Sequence, residues 1–316
     1  MFEIKRVIAG QDELLERVFV ALLTGGHLLI EGVPGLAKTL TVKTLADVLG
    51  GSFQRIQFTP DLVPSDLVGT RILRPDLSGF DVELGPVVCN FLLADEINRA
   101  PAKVQSALLE VMQERQVTIG PRTHPVPRPF LVMATQNPIE SEGTYPLPEA
   151  QVDRFLMKVV VEYPGFADEM TVVHRALGAA PRVERVLAIA DIEACQRAAA
   201  AVYVDRAVAE YAVTLVRATR DPARHGCGEV VPHVAFGASP RGSISLVHAA
   251  RALALLRGRT YALPQDIQDV AKDVLRHRIV LNYQALADGV AADRVVEAVL
   301  ANVAVPRLDF NRSMSA

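Results

Sequence analysis

Gly32-Val33-Pro34-Gly35-Leu36-Ala37 leads into Lys38-Thr39-Leu40, after a short apolar run and ahead of a helical one. A loop that cradles phosphate needs N–H groups turned inward, which small residues allow. It also needs a helix N-terminus, whose dipole favours anions. In that chemistry Lys38 reaches the β- and γ-phosphates of ATP and the Thr39 hydroxyl ligates Mg²⁺. Ala37 stands where such loops usually carry their second glycine. The competing reading is an ordinary strand-turn-helix with a solvated lysine.

Phe91-Leu92-Leu93-Ala94-Asp95-Glu96 is an apolar strand that ends in two acids, about sixty residues after that loop. Adjacent carboxylates at a buried strand end are costly unless they serve a metal or a polar partner. Asp95 is placed to hold Mg²⁺ and Glu96 to orient and polarise an attacking water. A third apolar strand, Phe130–Thr135, runs into Gln136-Asn137-Pro138. Strand ends converge on the ligand site in a parallel sheet, so Asn137 could bind the γ-phosphate or the lytic water. An Asn-Pro turn is the alternative.

Two arginines are candidates for an anion. Arg154 follows Asp153 just before the last strand, and Arg241 follows Ser239-Pro240. Ser is a good N-cap and Pro suits the first helical position, so Arg241 falls in a first turn where its charge opposes the dipole. A bound phosphate would explain that placement; a solvated side chain is the simpler account of either arginine. The seven histidines make no metal pattern, and His225 and His233 flank Cys227 too loosely for zinc.

The elements that must position these groups alternate in the first half, as in an α/β sheet with covering helices. His27–Glu31, Phe53–Phe58, Phe91–Ala94, Phe130–Thr135 and Phe155–Val161 read as strands. Gln11–Leu23, Lys38–Leu49 and Pro101–Gln113 read as helices. Two segments interrupt them: Thr59–Leu84, with a strand pair near its end, and Val117–Phe130, a hairpin turning at Gly120-Pro121. Tyr163-Pro164-Gly165 is a natural hinge, which divides the chain into residues 1–164 and 165–316. The second half carries Ala, Val, Leu and Arg at helical spacing, in Val204–Thr219, Ser245–Leu256 and Val290–Val303, with a loop over Asp221–Ser239.

At 316 residues the chain is long for one core, which fits a large domain plus a smaller one. A net charge of -3 gives no electrostatic case for nucleic acid. Cys89, Cys195 and Cys227 form no paired motif, as suits reduced thiols. No stretch reaches the roughly 18 apolar residues of a membrane span. Val18–Ile30 is preceded by acids and runs into the glycine loop, so a cytoplasmic location is expected.

Taken in order, these motifs resemble the AAA+ superfamily, and within it the MoxR-type ATPases. Gly32–Thr39 looks like Walker A, and Leu92–Pro101 like Walker B and the run after it. Ala134–Pro138 is similar to sensor 1, and Ser239-Pro240-Arg241-Gly242 to sensor 2. Glu149–Phe155 resembles the segment whose arginine, here Arg154, acts on a neighbouring subunit's nucleotide. Ile8-Ala9-Gly10-Gln11 falls near the adenine pocket that the resemblance implies. It further implies a P-loop α/β core with a parallel sheet, a helix-2 insert at 59–84, a hairpin before sensor 1, and an all-α lid. ATP and Mg²⁺ follow as cofactors, a homo-oligomeric ring, hexameric by expectation, as the assembly, and a protein client bearing a von Willebrand A domain as partner. Related alternatives are a magnesium-chelatase motor subunit, a nucleic-acid translocase, and a nucleotide switch with little turnover.

Overall fold

A computed structural model describes residues 1–32, 38–74, 79–137, 143–178, 181 and 183–307. In chain order the helices of the first part are α1 (Phe2–Lys5), α2 (Asp12–Thr24), α3 (Lys38–Leu49), α4 (Pro64–Val68), α5 (Ala102–Glu114), α6 (Glu149–Val152) and α7 (Phe166–Leu177). The strands are β1 (Leu28–Glu31), β2 (Phe53–Gln57), β3 (Gly69–Arg74), β4 (Gly79–Leu84), β5 (Phe91–Asp95), β6 (Gln116–Ile119), β7 (Arg122–Pro125), β8 (Leu131–Gln136) and β9 (Met157–Val160). Five of them form one sheet in the order β2-β5-β8-β1-β9. The pairings β2–β5, β5–β8 and β8–β1 are all parallel.

A parallel sheet is covered on both faces, so its central strands must be apolar on both sides. Phe91, Leu92, Leu93 and Ala94 are accordingly buried, as are Leu131, Val132, Met133 and Ala134 beside them. Polar residues enter only at the carboxyl ends, Asp95 on β5 and Thr135 and Gln136 on β8. The two interrupting segments form antiparallel pairs. β3 pairs with β4, and β6 with β7 around Gly120, whose φ of +58° suits glycine at that turn.

Contacts divide the chain into two compact units, Met1–Arg154 with Val159–Ala194, and Phe155–Lys158 with Cys195–Ala316. Helix α7 stays with the first unit because Arg175 donates to the carbonyls of Val7 and Lys5, at 2.9 and 3.0 Å.

The second unit is built on α8 (Ile189–Ala201, shared with the first), α9 (Arg206–Arg220), α10 (Pro240–Leu256), α11 (Pro264–Leu275), α12 (Tyr283–Ala287) and α13 (Ala292–Asn302). Leu246, Ala249, Ala250 and Leu253, at helical spacing, bury one face of α10 between α9 and α11. Asp205, Ser239 and Asn282 cap α9, α10 and α12 through their side chains. The unit is helical, as expected. β10 (Val234–Phe236), inside the span expected as a loop, forms a short antiparallel pair with β11 (Val280–Leu281).

Candidate functional site

Parallel pairing brings the carboxyl ends of β5, β8 and β1 side by side, where Asp95, Thr135 and Gln136 end their strands. Asp95 ends β5. Its Oδ1 accepts from Thr135 Oγ1 at 2.6 Å, and its Oδ2 from Arg55 Nη2 at 2.6 Å and Arg55 Nε at 3.2 Å. Glu96 follows with φ +57°, a left-handed conformation unusual for a residue with a side chain. Its N–H donates to Thr135 Oγ1 at 2.8 Å, which holds that turn. Its Oε2 accepts from Gln57 Nε2 at 2.7 Å and pairs with Arg99 Nε at 2.9 Å. Thr135 thus joins the two acids through one hydroxyl, donating to one and accepting from the other.

Gly32 follows β1, its N–H directed at Gln136 O at 3.4 Å. Val33, Pro34, Gly35, Leu36 and Ala37 lie outside the described residues. Lys38, Thr39 and Leu40 open α3. Lys38 Nζ donates to Gly32 O at 2.5 Å. Burial pulls the Lys38 ammonium below its ordinary pKa, while Asp95, Glu96 and Glu31 pull it back up. The lysine therefore feels all three carboxylates. Asn137, just past β8, is buried at the same edge.

Asp95 and Thr39 are hard oxygen donors, and among the described residues no group of three His, Cys, Asp or Glu could hold a metal alone. That donor set fits Mg²⁺, which takes one or two protein oxygens and completes its shell from substrate phosphates and water.

Ile8 and Gln11 line a cleft of about 410 Å³ together with Gly10, Asp168, Thr171 and Arg175. Gln11 is also left-handed, with φ +61°, and its Oε1 is buried with no hydrogen-bond partner among the described residues. Gly10 is required there, since a Cβ would meet Asp168 Oδ2 at 2.8 Å and φ is +67°.

Arg154 is exposed after α6 and donates to Leu109 O at 3.4 Å. Arg241 is exposed in the second unit, in the first turn of α10, where Ser239 Oγ accepts from its N–H at 3.2 Å.

Arg55, Gln57, Arg99 and Thr135 were not among the candidates read from the motifs. Arg55 and Gln57 are two apart on β2 and so share a face, and Gln57 stands opposite Asp95 in the register. That alternation is the signal that could have found them.

The sequence matches the ATPase family associated with various cellular activities (AAA) over residues 27–157, and the AAA lid domain over residues 229–299. It is 58% identical to Chaperone MoxR1 of Mycobacterium tuberculosis over 98% of this chain and 82% of that protein. Uncharacterized protein YeaC of Bacillus subtilis is 45% identical over 96% of this chain and 92% of its own. A crystal structure of a candidate ATPase from Cytophaga hutchinsonii matches with a TM-score of 0.91 at 47% identity, covering 97% of this chain and 93% of that one. The chain belongs to the MoxR family of AAA+ ATPases.

Proposed function

We propose that the protein binds Mg-ATP at the carboxyl edge of its sheet and hydrolyses it to remodel a protein client. The observation that supports this best is the partly buried Lys38 ammonium held at the start of α3 under the pull of Asp95 and Glu96. A desolvated amine beside two acids is the arrangement a triphosphate and its metal would complete.

In this reading the loop from Gly32 through Leu40 holds the phosphates, with Lys38 against the β- and γ-oxygens. Thr39 and Asp95 hold Mg²⁺, which would neutralise charge developing on the phosphates. Glu96 takes the proton of the attacking water, and Asn137 orients that water or the γ-phosphate. Ile8 and Gln11 receive the adenine; the lone Gln11 Oε1 would accept from its exocyclic amine. Arg154 reaches the nucleotide of the next subunit in a ring, and Arg241 reads the γ-phosphate from the lid. The ring is a homohexamer, the setting cytoplasmic, and the client a protein with a von Willebrand A domain. Chaperone MoxR1 carries the client-directed activity in its name.

The test is Mg-ATP turnover by the purified protein, alone, with DNA, and with a candidate partner carrying that domain. Turnover raised by the partner and indifferent to DNA supports the reading. Turnover raised only by DNA would overturn the assigned client.

A further inference from the structure

We propose that Arg278 is a positioning residue for Arg154, tying the backbone that follows Arg154 to the helix whose first turn carries Arg241. Between the end of α6 at Val152 and the start of β9 at Met157, residues 153–156 form a turn. Phe155 and Leu156 are buried there, so their carbonyls must find donors. The side chains of His277 and Arg278 face them. Arg278 Nη2 donates to Phe155 O at 2.6 Å and Nη1 to Leu156 O at 3.1 Å. The neutral His277 ring faces Phe155 O through Nε2 at 3.2 Å, its pKa held well below the usual value chiefly by burial. Arg276 Nη1 donates to Lys158 O at 2.7 Å. Three consecutive side chains thus hold three carbonyls within residues 155–158.

Arg278 reaches further. Its Nη2 also donates to Ser245 Oγ at 3.2 Å, one turn after Arg241 on α10, and its Nη1 reaches Val274 O on α11. Only 6% of Arg278 is exposed. A buried guanidinium is tolerated where its donors are taken up, and its planar fork spans several acceptors as an ammonium cannot. Arg154 is bonded to Phe155, so the group that holds Phe155 O restrains the backbone from which the Arg154 side chain departs. Any shift of α10 felt at Arg241 is also felt at Phe155 through the same guanidinium.

The inference rests on the reading of Arg154 as the residue that acts on a neighbouring nucleotide. A double-mutant cycle on the full-length protein separates the two. Arg278→Lys, which keeps the charge and loses the fork, lowers kcat about tenfold while the KM for ATP stays within about twofold. In an Arg154→Ala background the same change lowers kcat by less than about twofold, because the side chain it positions is gone. Equal losses in both backgrounds, or a loss confined to KM, would overturn the inference. If Arg278→Lys does not fold, Ser245→Ala removes a single hydroxyl from the same link and runs the same cycle with the same two outcomes. Full turnover in Arg154→Ala alone would instead sink the reading of Arg154, whatever Arg278 does.

Discussion

Arg55 grips Asp95 from the neighbouring strand through two nitrogens, at 2.6 and 3.2 Å, both on the same carboxylate oxygen. The other oxygen belongs to Thr135. Asp95 is thus the meeting point of an edge strand, a central strand and the acid pair. A cation arriving at Asp95 competes with a guanidinium already there.

Removal of that competitor should help the metal. Arg55 is 47% exposed, and such pairs contribute about 1 kcal/mol or less. Arg55→Ala is therefore expected to lower the Mg²⁺ concentration for half-maximal nucleotide binding by no more than about fivefold, with folding stability nearly unchanged. Titration of Mg²⁺ against a fluorescent ATP analogue reads this directly. A higher Mg²⁺ requirement would mean that Arg55 helps rather than competes.

Glu96 sits in a left-handed conformation beside Asp95, with its carboxylate on Gln57 and Arg99. As the base, it should be dispensable for binding and needed for turnover. Glu96→Gln is expected to keep ATP affinity within about twofold and to lose about 10²–10⁴ in kcat. Single-turnover kinetics check it, and ordinary turnover would remove Glu96 from the role.

His27 predicts an acid sensitivity unrelated to the site. Its Nδ1 accepts from Val132 N at 3.0 Å, so the other nitrogen carries the proton and donates to Met112 O at 3.2 Å. Burial holds its pKa at about 4, down from 6.5. The unfolded chain takes up a proton below pH 6.5 and the native one does not. Stability is therefore full above that value and falls as pH drops toward 4. Between pH 7 and pH 5 the loss from this group is about 2 kcal/mol. Urea unfolding of wild type and His27→Gln at both pH values should show the variant's smaller pH dependence; equal dependence would clear His27 of it.

Much of this was legible beforehand because parallel strands buried on both faces are apolar runs with polar ends. Phe91–Asp95 and Leu131–Gln136 expose a polar residue at the last position, where the apolar run breaks. Gly120-Pro121 marked the hairpin for the reason glycine marks any turn with positive φ. What escaped depends on distant pairing. Val234–Phe236 forms a strand only because Val280 and Leu281 lie against it. Arg175 ties α7 to the carbonyls of Val7 and Lys5, a contact no local pattern announces. Arg55 and Gln57 carry no motif of their own; only the register sets Gln57 opposite Asp95.

The central claim is that Lys38 binds the phosphates of a nucleotide. Isothermal titration of Mg-ATP into the wild-type protein and into Lys38→Ala tests it most directly. Saturable binding by the wild type and its loss in the variant are the predicted results. Undiminished affinity in Lys38→Ala, or no binding by the wild type at saturating Mg-ATP, would contradict the account.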